Sequence, residues 1–152
     1  MAMTAFAKQD PQVKMINPKG EIIDLRLAIS SEEHQKGLSG LKPSQFGFNE
    51  GMLFVSEQMS PKKFWMPDTY FALDIIFLDR NLKIVGIEKN VPFHPGFQEP
   101  PEIYRTKIYQ AQYVLECKSG SGFSGQLKVG DKLKFIGSKN LLETKLKTRP
   151  SR

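Results

Sequence analysis

The chain has 152 residues, enough for one domain with a sizeable hydrophobic core and too few for two of ordinary size. Its hydrophobic fraction of 39% and aromatic fraction of 11% fit a globular protein, and no apolar run approaches the roughly 18 residues of a membrane-spanning helix. The formal charge of +6 is concentrated in residues 137 to 152, where five basic side chains stand against Glu143, and with no RNA-recognition, zinc-finger or helix-turn-helix pattern elsewhere the expectation is that nucleic acid is not a partner.

The chain opens on MAMTAFAKQD, in which Ala5-Phe6-Ala7 has the small-residue pattern found before a signal-peptidase cut. Residues 1 to 11 therefore read as the stub of a removed export signal, with a frayed cytoplasmic terminus as the alternative. An extracytoplasmic location is the favoured expectation. In EIIDLRLAI (21 to 29), Ile23, Leu25, Leu27 and Ile29 alternate with polar positions, the period-two pattern of a half-buried strand. Asn17-Pro18-Lys19-Gly20 is a turn, so residues 12 to 16 are expected to be its hairpin partner. Ser30-Ser31-Glu32-Glu33 is a capping box, and the short helix it starts should end at Gly37.

Further strands are expected at 51 to 55, 62 to 66, 73 to 79, 82 to 89, 108 to 118 and 131 to 136. Between them lie a proline-rich loop, 90 to 107, long enough to be functional or mobile, and KSGSGFSGQ (118 to 126), which reads as a flexible connection. The fold class that follows is all-β: a compact antiparallel β-sandwich or barrel of about seven to eight short strands with one or two short helices. It occupies residues 12 to 136, followed by a basic tail, 137 to 152.

Asp74 interrupts LDIIFLD, an apolar strand in which both faces look buried, and a carboxylate there needs hydrogen bonds or a cation. It reads either as a pin on the amides of a neighbouring turn or as an acid at the edge of a pocket. Glu116 has the same two readings, the plainer one being a surface ion pair with Arg105 or a lysine. Two carboxylates about 5 to 10 Å apart across a cleft would suit acid–base hydrolysis of a glycoside, which makes Asp74 and Glu116 the catalytic candidates and Asp68, expected to be exposed, the third. Trp65, with Phe64, Met66 and Tyr70, could form an aromatic platform for a sugar ring or a peptide side chain, although core packing is the fate expected of at least two of these four. His34 should face solvent, whereas His94 in the long loop could approach a site beneath it. The single Cys117 excludes an internal disulfide and any zinc site of two thiolates. Met52, Met66, His94 and Cys117 are too scattered to suggest a soft-metal centre, so no metal or cofactor is expected.

Five short motifs occur in order: Gly51-Met52-Leu53-Phe54, Phe64-Trp65-Met66 with Thr69, Leu73-Asp74-Ile75-Ile76-Phe77, Val114-Leu115-Glu116 and Gly130-Asp131. Over about residues 20 to 136 the chain thereby resembles the bacterial and archaeal "domain of unknown function 192" family. The resemblance implies a compact, mostly antiparallel β fold in a family whose members are often exported or lipoproteins, and it implies no activity. A Gly-Leu-Met-x-Arg stretch common in that family reads Gly37-Leu38-Ser39-Gly40-Leu41 here, and the usual Lys-Asn after Phe-Trp-Met is Pro67-Asp68. The functional expectation is a binding or accessory module for an unknown small molecule, glycan or cell-envelope component, its site formed by Trp65, Met66, Asp68, Asp74, His94, Arg105 and Glu116. The alternatives are a hydrolase of a saccharide or envelope polymer and a protein-interaction domain with an exposed sheet edge.

Overall fold

The computed structural model describes residues 13 to 136 and Glu143. The expected N-terminal stub and, Glu143 aside, the basic tail lie outside the described residues. Seven strands, β1 (Val13–Ile16), β2 (Ile22–Ala28), β3 (Glu50–Lys62), β4 (Leu73–Leu78), β5 (Ile84–Val91), β6 (Tyr109–Lys118) and β7 (Lys134–Ile136), form one sheet in the order β5-β4-β6-β3-β2-β1-β7. Two short helices, α1 (Ser31–Lys36) and α2 (Gly122–Gly125), and a 3-10 turn at Pro43–Gln45 complete the described elements. The all-β expectation holds, with two refinements.

First, β2 and β3 run parallel while every other pair is antiparallel. Parallel neighbours need a crossover rather than a hairpin. Here the crossover is the stretch containing α1 and the 3-10 turn. Second, the sheet is neither a sandwich nor a closed barrel. One face gathers Met15, Ile23, Leu53, Ile76, Ile84, Leu115 and Cys117 from six strands, with Phe123, Leu127 and Leu133 between them, which requires a sheet curled around its own side chains. At one end its edges are tied by Ile84 N donating to Asp131 O (2.8 Å) and Leu133 N to Leu82 O (3.0 Å). The convex face is covered by a second apolar layer, in which Leu38, Phe46, Met66, Phe71 and Ile103 pack on Phe54, Leu73, Ile75, Phe77 and Val114.

The capping box forms as the sequence dictates, with Glu33 N donating to Ser30 Oγ (3.1 Å) and Ser30 N to Glu33 Oε1 (3.0 Å). Gly37 ends the helix at φ +47°, where a β-carbon would stand 3.1 Å from the Phe54 ring. The strand expected at 62 to 66 is not one. β3 runs on to Lys62 through a bulge in which residues 56 to 59 face Gln112 alone, and 64 to 66 only bridge to 104 to 106. The stretch 118 to 126 is also not the flexible connection expected, because α2 buries Phe123 and Ser124.

Candidate pocket on the convex face

The register of β4 against β6 places Asp74 opposite Cys117 and Ile75 opposite Glu116. Side chains alternate along a strand, so Asp74 and Glu116 project from opposite faces of the sheet. The two candidate acids share no cleft.

Asp74 lies on the concave side, 3% exposed, and accepts from the Asn90 amide (2.9 Å) and the Ser124 hydroxyl (2.7 Å). It joins β4 to the end of β5 and to α2. Sequence reading missed Ser124, whose only signal was its place among small residues that looked like linker.

Glu116 lies on the convex side and is 4% exposed. The surface ion pair expected for it does not form, because Glu116 is buried and Arg105 pairs with Glu99 instead. Among the described residues none donates it a hydrogen bond, yet no fully buried side-chain oxygen is left without a partner. Its remaining exposure is therefore into the cavity it lines. That cavity, about 240 Å³, lies between α1 and its following turn (His34 to Ser39), the strip Lys63 to Pro67 with Thr69, and the sheet residues Phe54, Leu73 and Glu116. Burial pushes the Glu116 carboxyl up to about 8, so it is largely protonated at neutral pH.

The roof is pinned across the cavity. Ser39 Oγ donates to Pro67 O (2.9 Å) and Gly40 N to Asp68 O (2.8 Å), which fix the turn after α1 to the strip beyond β3. Thr69 Oγ1 donates to Met66 O (2.8 Å) and accepts from the amide of His94 (2.9 Å). Outside the roof an open groove shares Gln35, Lys36, Ser39, Trp65 and Pro67 with the cavity and adds Glu32, Gly40, Asp68 and Phe97.

Of the expected site residues, Trp65, Met66 and Glu116 line the cavity and Asp68 the groove. Trp65 is 52% exposed, with the Arg105 guanidinium 5.4 Å from its ring, whereas Met66 is core. Asp68 is half-buried and accepts from the Tyr70 hydroxyl (2.6 Å). Arg105 pairs with Glu99 (3.4 Å) and stays outside the cavity. His94 is buried but is occupied elsewhere: its ring nitrogens face Gly96 O (3.1 Å) and Pro101 O (2.8 Å), closing the proline-rich loop on itself. His34 is not solvent-facing as expected, because its Nε2 donates to Ala28 O (2.8 Å) and its ring packs edge-on against Phe54. Cys117 belongs to the concave core and Met66 to the convex layer, so the two do not meet. Phe64, expected in the aromatic platform beside Trp65, lines the cavity, whereas Leu38, Ser39 and Lys63 were missed, since only tertiary packing of the crossover over β3 and β6 brings them together.

A family model described as "Uncharacterized ACR", the DUF192 family, matches residues 14–135. No curated protein sequence matches the chain. Among solved structures, the chain is similar to a protein of Sinorhizobium meliloti 1021 provisionally described as a transcription regulator, at 26% identity over 84% of this chain and 94% of that one, with a TM-score of 0.64. It is also similar to a protein of unknown function from Novosphingobium aromaticivorans DSM 12444, at 27% identity over 81% and 83% of the two chains, with a TM-score of 0.63.

Proposed function

The chain belongs to the DUF192 family of uncharacterized proteins, and we propose that it is a small-molecule binding module whose ligand seats in the convex-face pocket. The observation that carries this reading is Glu116, a carboxyl group held 4% exposed with no donor among the described residues. Burying such a group without a partner costs on the order of 1–3 kcal/mol, and a native fold that keeps it open to a cavity is arranged for something to fill that cavity. Apolar and aromatic walls with one convergent polar group are the usual make-up of a ligand site. The volume, below the roughly 300–1,000 Å³ of pockets for drug-sized molecules, points to a compact ligand.

The paired-carboxylate hydrolase loses its support, since Asp74 has its partners on the other face. The binding reading is tested by screening a small-fragment library by two-dimensional NMR against the protein and against Ser39→Phe, which fills the cavity from its roof. Expected are shifts at Glu116, Phe64 and Leu38 that vanish in the variant. A library that binds nowhere, or only away from these residues, would sink the proposal.

A further inference from the structure

The pocket is electrostatically graded from floor to mouth, and the grading specifies the ligand. At the floor is the Glu116 carboxyl, lacking a donor; along the wall are the rings of Phe54, Phe64 and Trp65; at the exterior are the exposed Lys36 and Lys63, neither of which has an ion pair among the described residues. An acceptor at the closed end and aromatic faces above it favour a protonated amine, whose charge draws the Glu116 carboxyl into its ionised form on binding, donates to it and lies against the ring faces. A quaternary ammonium would leave Glu116 without a donor. The two lysines at the open end disfavour a simple cation and favour a negative group on the far side of the same molecule. Resting on the binding reading above, we infer that the ligand is a compact amphoteric amine, with an ammonium head at Glu116, a short apolar body between the aromatic walls and an anionic end at Lys36 and Lys63.

Three probes of one length separate the parts of this inference: 6-aminohexanoate, n-hexylamine and hexanoate, titrated by calorimetry into the full chain at neutral pH. The expected order of affinity is 6-aminohexanoate, then hexylamine, with hexanoate weakest. Glu116→Gln should fold, since it substitutes a neutral isostere for a carboxyl that burial already keeps largely neutral, and should weaken both amines by about 10- to 100-fold. The double substitution Lys36→Gln with Lys63→Gln should leave hexylamine binding intact and abolish the advantage of 6-aminohexanoate over it. Hexanoate binding as tightly as the amines, or amine affinity unchanged in Glu116→Gln, would overturn the amine assignment. An unaltered preference in the lysine double variant would overturn the anionic end. If N-acetylglucosamine binds, loses binding in Ser39→Phe, and the amines do not bind, the ligand class is wrong while the binding module stands. If nothing binds, including the fragment library, both readings fall together.

Discussion

At the scale of single residues, two buried carboxyls of similar appearance in the sequence have opposite fates. Asp74 is satisfied by an amide and a hydroxyl, and removing the hydroxyl with Ser124→Ala should lower stability by about 1–3 kcal/mol in urea titrations, because one oxygen then lacks its donor. Glu116 has no such support, and its folded-state value near 8 stands far above that of an unfolded glutamate. A raised carboxyl binds its proton more tightly in the folded state. Its contribution is therefore complete below the unfolded value and declines as pH rises, by about 1.4 kcal/mol per pH unit, until the folded value is passed. Chemical denaturation between about pH 5 and 8 should show this decline, and Glu116→Gln should flatten it and be more stable than wild type at pH 8. An unchanged slope in the variant would mean that the group ionises without cost. Neither fate was legible in the sequence: alternation placed both acids on strands, but which face each took and what lay above it depended on pairing partners about 40 residues apart.

Among the elements, the proline-rich loop is held by His94. Burial pushes its imidazole down, but the carbonyls of Pro101 and Gly96 outweigh this and leave it above its ordinary value. Two acceptors need two N–H donors, which only the imidazolium has. The clamp should be complete below about pH 6.5 and weaken as pH rises through the raised folded value. Hydrogen exchange in residues 92 to 106, corrected for intrinsic rate, should accelerate over that range, and in His94→Leu it should be fast and independent of pH. The next contact along the sheet is steric. A β-carbon on Gly86 of β5 would stand 2.2 Å from the Tyr109 ring, which stacks on Phe77 at 4.3 Å, so Gly86→Ala should cost about 1–3 kcal/mol in the same denaturant assay. Local elements were readable where local chemistry decides them: the capping box at Ser30 and the alternation through Ile23, Leu25 and Leu27 mark α1 and β2 closely. They were unreadable where packing decides, as in β3, whose bulge hides its continuity, and in α2, which is helical because Phe123 has a core to enter.

For the whole molecule, topology carries the consequences. The parallel pairing of β2 with β3 and the meeting of β3 with β6 close large loops before any sheet exists, and such non-local architectures fold in about milliseconds to seconds rather than microseconds. Stopped-flow refolding should fall in that range, and a microsecond phase carrying the full amplitude would contradict this topology as the kinetic bottleneck. The all-β class was legible because period-two patterning and closely spaced turns leave little room for long helices. The curl and its latch were not, since Ile84 and Asp131 bear no mark of one another in the sequence. The concave core also encloses Cys117, the single cysteine of the chain, fully buried, its thiol pushed up by that burial and by the neighbouring Asp74 and Glu116. A thiol reagent can reach that sulfur only after the curl has opened, so the protein carries its own stopwatch: each alkylation records one excursion of the sheet, without any added label.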